Sequence, residues 1–183
     1  MPMKTDARML TLCALFAALT AASAFLKLPV GPVPVTLQSL VTAMAGVLLG
    51  PGWGALSQLV YVALGLLGLP IFAAGGGPGY LLQPSFGFLL GLIPAAWVAG
   101  RLSRGETALG TGLACLAGTG ALYLLGAPYM YLILRAYLGQ EIAPAAVLWS
   151  GMLVFLPGDL AKTAALAVLC PTLRRRLAPL LPA

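Results

Sequence analysis

Near the end of the chain an acid and a base stand together in an apolar stretch, in the run Pro157-Gly158-Asp159-Leu160-Ala161-Lys162. Between Val147 and Cys170 no other side chain ionises except the cysteine itself. Asp159 and Lys162 are three positions apart, so on a helix they share one face. Charges are costly in hydrocarbon, and where they persist they face a cavity or a partner. Two chemistries fit this pair. One is a structural ion pair that pins two helices. The other is a pocket for a small polar molecule that brings hydrogen-bond donors and a negative charge.

The other reactive residue types narrow the field. There is no histidine, which removes His-based acid–base work, His-containing triads and the commonest metal ligand. The carboxylates are Asp6, Glu106, Glu141 and Asp159, and only Asp159 lies well inside an apolar segment. Cys13, Cys115 and Cys170 are scattered, odd in number and each set in an apolar run. They read as small packing residues rather than a disulfide framework or a metal site. No metal and no cofactor is expected. The chain lacks the Gly-Lys-Ser/Thr ending of a phosphate-binding loop, so ATP hydrolysis by that route is excluded.

The elements that must position Asp159 and Lys162 are membrane spans. The 183 residues are 61% apolar and only 8% charged, the composition of a polytopic membrane protein. At about 20 residues per span the length allows about six spans with short loops and no soluble domain. The expectation is a single transmembrane domain over residues 1–183, multi-pass in the cell (inner or plasma) membrane and in contact with lipid. The net charge of +6 could suggest nucleic acid, but the basic residues sit at segment ends, as the positive-inside rule requires. No nucleic-acid partner is expected.

The first apolar run, Met9 to Leu26, ends in Ala22-Ser23-Ala24, which resembles a signal-peptide cleavage site. A retained span is favoured, because Ala14, Ala17, Ala18, Ala21 and Ala22 form a small-residue stripe of the kind that lets helices approach closely in lipid. The stripe reads equally as internal packing. Lys27 to Gln38, with Pro29, Pro32 and Pro34, reads as an extended loop. A second span covers about Leu37 to Gly50, Pro51-Gly52 turns the chain, and a third covers about Trp53 to Leu69. Pro70 to Pro84 is a second irregular loop, with glycines at 75, 76, 77 and 79. Such backbone is tolerated at membrane depth only where protein or water satisfies it.

A fourth span, about Phe86 to Ala99 with a bend at Pro94, ends in Arg101 and Arg104. A fifth, about Thr107 to Leu125, is expected to be interrupted at Gly126-Ala127-Pro128 before helix resumes toward Tyr137. The last apolar region starts at Ala143-Pro144 and ends at Arg174-Arg175-Arg176, with Pro157 either kinking one long helix or starting another. No internal repeat supports an inverted-repeat carrier. With both termini in the cytoplasm, the inner segments hold Lys4, Arg8, Arg101, Arg104 and Arg174 to Arg176, and the outer loops hold Lys27 and Arg135. Seven against two favours that orientation, and it puts both irregular loops outside.

Two broken outer loops can cover a pocket floored by Asp159 and Lys162. The polar residues available to it are Thr36 and Gln38, where the first loop enters the second span, and Gln83 and Ser85, where the second loop enters the fourth. Tyr80, Phe72 and Phe86 can supply apolar walls and one hydroxyl. A mostly apolar lining with a few placed polar groups is the usual recipe for a small-molecule site. Taken singly, Gln38 or Ser85 reads first as an ordinary helix-end residue and only second as a ligand contact.

Three segments together resemble a known family: Pro32-Val33-Pro34-Val35-Thr36-Leu37-Gln38, Gly68-Leu69-Pro70-Ile71-Phe72-Ala73 with the glycine run after it, and Pro157 to Lys162. In this order and in a chain of this size they resemble BioY, the biotin-binding subunit of energy-coupling-factor (ECF) vitamin transporters. The resemblance covers almost the whole chain. It implies six helices, an outward-facing biotin site beneath the two loops, and biotin contacts from Asp159 and Lys162. It also implies a partner-docking face with an Ala-xxx-Ala pattern on the first span, matched here by Ala14, Ala18 and Ala22. The implied partners are a transmembrane coupling subunit and ATPase subunits. One corner departs from the family pattern: where Gly-Pro-Thr-Gly-Gly-Tyr is common, this chain reads Gln83-Pro84-Ser85-Phe86-Gly87-Phe88.

The chemistry agrees with the resemblance. Biotin carries two ureido N–H donors and a valerate carboxylate, which suit Asp159 and Lys162 respectively, and each buried charge then gains a partner. The expectation is an all-α, six-helix integral membrane protein that captures biotin from outside for ATP-driven uptake and has no catalytic residues. Three rivals stand beside it. A self-sufficient carrier would use Asp159 as a proton site. A membrane enzyme would use Asp159 and Lys162 as acid and base, although no Ser or Cys nucleophile is placed near them in sequence. A structural membrane subunit would bind no vitamin.

Overall fold

The structure, a computed structural model, describes residues 7–28, 33–103 and 107–177. Lys4 and Arg104 of the charge bias, and Pro29 and Pro32 of the first loop, lie outside the described residues. The architecture is helical. In chain order come α1 (Ala7–Phe25), α2 (Gln38–Leu66), α3 (Phe86–Leu102), α4 (Ala108–Leu132), α5 (Pro144–Leu148) and α6 (Leu156–Leu177). π-helical turns at Ile133–Tyr137 and Trp149–Leu153 extend α4 and follow α5. Among the described residues, four helical stretches are long and apolar enough to cross a membrane, at Ala7–Phe25, Gln38–Leu66, Ala108–Tyr137 and Pro144–Leu177, and the 17-residue α3 is a shorter apolar helix.

α2 is not one straight rod. Gly50 has φ 81° and ψ 174°, a conformation open to glycine and closed to other residues, and Pro51 restarts the helix with the fixed φ that suits a first turn. The chain doubles back there. A Cβ added to Gly54 would lie 2.7 Å from the Cα of Gly46, whereas eight positions along a straight helix are about 12 Å apart. Gly46 serves a second approach, since its added Cβ would lie 2.2 Å from the Ala96 carbonyl oxygen on α3. Without side chains between them, the two halves of α2 and α3 pack backbone to backbone, as membrane helices joined through small residues do.

Polar side chains bind α1 to this unit. Gln58 accepts from the Thr42 hydroxyl at 2.9 Å and donates to Ser57 at 3.0 Å and to Thr20 of α1 at 3.2 Å. All four side chains are buried. The fully satisfied network fixes the register of three helices, which apolar contacts in lipid leave loosely specified.

The two loops are more ordered than their composition implies. The first is a short antiparallel ribbon, β1 (Lys27–Leu28) with β2 (Val35–Thr36). The second carries an isolated bridge from Phe72 to Gly75 and a 3₁₀ turn at Pro78–Leu82. The Phe72 ring fills the notch at Gly65, where an added Cβ would lie 2.1 Å from it. Lys27 donates to the Ala73 carbonyl and ties the loops together.

One sequence expectation is overturned, and one question left open is answered. α4 runs unbroken through Gly126-Ala127-Pro128. The carbonyl that Pro128 leaves without an amide belongs to Leu124, one turn earlier, and membrane helices accommodate such a gap locally. Pro157 sits in the first turn of α6, where its missing N–H costs nothing, and the turn at 154–155 joins it to the preceding π segment. The fifth and last helical regions are thus α4 with its π extension, and α5 with its π segment running on into α6.

Candidate functional site

The first two turns of α6 present Asp159 and Lys162 on one face, as their spacing requires. Their charges meet at 2.8 Å, with side chains 8% and 13% exposed. A pair so enclosed needs further hydrogen bonds to offset desolvation, and it has them. Lys162 donates to the Thr36 carbonyl at 2.8 Å and to the Ser39 hydroxyl at 2.9 Å. Asp159 accepts from Ser39 at 3.1 Å and, on its other oxygen, from the hydroxyl of Tyr123 on α4. Asp159 is thereby held by α2, α4 and its own helix.

This cluster floors a cavity of about 590 Å³, its open mouth included. Val33, Pro34 and Thr36 of the first loop and Ala73, Tyr80 and Ser85 around the second border it. Phe88, Leu89 and Leu92 of α3, Leu122 of α4 and Phe155 before α6 form its apolar sides. Phe88 packs edge-on against Tyr123, with ring centroids 6.4 Å apart. The site therefore offers one carboxylate, one ammonium and several hydroxyls in a largely apolar enclosure.

Of the residues singled out in the sequence, Asp159, Lys162, Thr36, Gln38, Tyr80 and Ser85 line this cavity. Gln38 is engaged elsewhere at both ends of its amide: it accepts from Thr36 at 3.0 Å and donates to Tyr61 at 2.7 Å. Tyr61 in turn donates to the Ile71 carbonyl at 3.1 Å, so this chain of bonds links the first loop to the second. Ser85 donates to the Tyr80 hydroxyl at 3.4 Å. Phe72 stands behind the wall, its ring 4.7 Å from that of Tyr80. Gln83 ends the 3₁₀ turn and is exposed, away from the lining. Phe86 is buried and supports Tyr80 from α3.

Tyr123 and Ser39 are the polar lining residues that sequence reasoning missed. Ser39 directly follows the Thr36-Leu37-Gln38 motif and lay within reach of it. Tyr123 carries no local signal, standing amid leucines and alanines on α4. On α1, Ala14, Ala18 and Ala22 are exposed, Ala17 is buried and Ala21 lies between. The small-residue stripe is thus split between an inner and an outer face.

Known proteins share this sequence and fold. A family model described as the BioY family matches residues 1–179. The biotin transporter BioY of Rhodobacter capsulatus is 42% identical over 177 residues, covering 91% of this chain and 93% of that protein. The probable biotin transporter BioY of Lysinibacillus sphaericus is 40% identical over 167 residues, covering 90% and 85%. A 2.1 Å crystal structure of the S-component for biotin from an ECF-type ABC transporter superposes with a TM-score of 0.80 at 29% identity, covering 96% of this chain and 95% of that one.

Proposed function

The chain belongs to the BioY family, and from that premise we propose that it is the membrane S-component that captures biotin for uptake by an ECF transporter. It is a transporter subunit and not an enzyme. The observation that carries the reading is the Asp159–Lys162 pair, enclosed at 2.8 Å beneath two tied loops in a largely apolar cavity. Biotin matches that enclosure group by group. Its ureido N–H groups donate to Asp159, its carboxylate pairs with Lys162, and its bicyclic ring and aliphatic chain pack against Phe88, Leu92, Leu122 and Phe155. Binding exchanges one ion pair for two charge-assisted contacts, so neither charge is left buried alone.

Counting α2 as two passes across Gly50, the chain crosses the membrane six times with both termini in the cytoplasm. The excess of basic residues on that side supports this orientation. The cavity then opens outward between the two loops. ATP-driven uptake requires a transmembrane coupling subunit and ATPase subunits, and the exposed Ala14, Ala18 and Ala22 of α1 form a smooth face for the coupling subunit.

Labelled biotin should bind tightly to right-side-out vesicles carrying the protein on ice, and not to inverted ones. Asp159→Asn should abolish the right-side-out signal. Equal binding to inverted vesicles would overturn the orientation, and unchanged binding by Asp159→Asn would overturn the site.

A further inference from the structure

A second concavity lies on the lipid-facing side of α4. Gly120, Leu124, Ala127, Pro128 and Tyr131 form one wall, and Val147, Leu148 and Met152 of α5 and its π segment form the other. The groove measures about 940 Å³, its open side included. Gly120 and Tyr131 are eleven positions apart, about 16 Å along a helix. That is close to half of the ~30 Å hydrocarbon core, the depth of one leaflet. Leu124 is 76% exposed and Leu148 50%, as side chains in contact with acyl chains are.

Beside the Tyr131 end of the groove is a polar recess lined by Arg135, Gln140 and Glu141, adjoining it through the contact of Arg135 with Tyr131. That end stands beside the second loop, since Tyr129 donates to the Leu81 carbonyl at 2.5 Å. Arg135 is exposed, donates to the Tyr131 hydroxyl and stacks 5.8 Å from that ring. Glu141 is exposed, and no ion pair to it forms among the described residues. One cation and one anion therefore border a single recess next to the apolar groove. Apolar fit selects no particular lipid within a bilayer, because every chain is equally apolar. Selection must come from the charged end.

We propose that this surface binds one phosphatidylethanolamine molecule, with an acyl chain in the groove, the phosphate on Arg135 and the ammonium on Glu141. The chain then lies against Tyr123, which lines both the groove and the ligand cavity. The test is native mass spectrometry of the whole chain released from nanodiscs of equal dioleoyl-phosphatidylethanolamine and dioleoyl-phosphatidylglycerol. Wild type should retain one phosphatidylethanolamine. Gly120→Leu, whose side chain enters open space, should block the chain. Arg135→Gln with Glu141→Gln should remove the headgroup contacts. Each change should lower retention about tenfold or more. The two changes lie at opposite ends of the site, so misfolding of one leaves the other to decide. No retained lipid in wild type, equal retention of phosphatidylglycerol, or wild-type retention by the folded variants would overturn the proposal.

Discussion

Replacing Lys162 by alanine separates the two ends of the ligand. In the folded protein the ammonium contacts Asp159 at 2.8 Å, the Thr36 carbonyl at 2.8 Å and the Ser39 hydroxyl at 2.9 Å. Removing one partner of a buried charge pair costs about 2–5 kcal/mol. The low end applies here, because Asp159 keeps the hydroxyls of Ser39 and Tyr123 as donors. Biotin should therefore lose about 2 kcal/mol, or about 30-fold in Kd. Biotinol, with an alcohol in place of the carboxylate, never made the ionic contact. It should bind Lys162→Ala as well as wild type, or more tightly, because Asp159 no longer has to release Lys162 before receiving the ureido group. The assay is calorimetric titration of both ligands into wild type and variant in the same nanodiscs, with melting temperatures measured alongside. A biotin-to-biotinol ratio unchanged by the substitution refutes the assignment of Lys162 to the carboxylate.

Four further outcomes are expected. Tyr123→Phe removes one donor from Asp159 and keeps the ring, so Kd should rise by the same factor for biotin and biotinol, about tenfold for one hydrogen bond to a charged group. A selective loss of one ligand would contradict that role. Gly46→Ala puts a Cβ 2.2 Å from the Ala96 carbonyl oxygen, an overpacking worth about 1–3 kcal/mol and about 5 °C in melting temperature. Gly158→Ala meets nothing within 4 Å and should leave the melting temperature unchanged or raise it. Ala14→Leu with Ala18→Leu adds bulk to the exposed face of α1, so biotin binding by the isolated chain should persist while uptake by cells holding the partner subunits falls; equal loss of both would make the stripe internal packing.

How much of this was legible in the sequence depended on whether the signal was local. The i, i+3 spacing and the apolar surroundings of Asp159 and Lys162 sufficed to place them together. The reversal of α2 was read at Pro51-Gly52 and lies one residue earlier, with the non-helical conformation at Gly50 and Pro51 restarting the helix, because glycine conformation and proline stereochemistry act within two residues. Tyr123 was not legible: its contact with Asp159 spans 36 positions and depends on how α4 and α6 pack. Gln83 was misplaced by adjacency to Ser85, since the 3₁₀ turn before it faces its side chain outward. Pro128 was over-read as a break, by a rule that holds best in water.

The Gln58 network bears on how force moves through the molecule. It joins α1 to both halves of α2, and α2 begins beside Thr36 and Ser39, where Lys162 is anchored. The outer face of α1 and the floor of the cavity thus belong to one mechanical piece with no hinge between them. A torque applied at Ala14 or Ala18 by a neighbouring helix cannot bend α1 away without breaking buried hydrogen bonds.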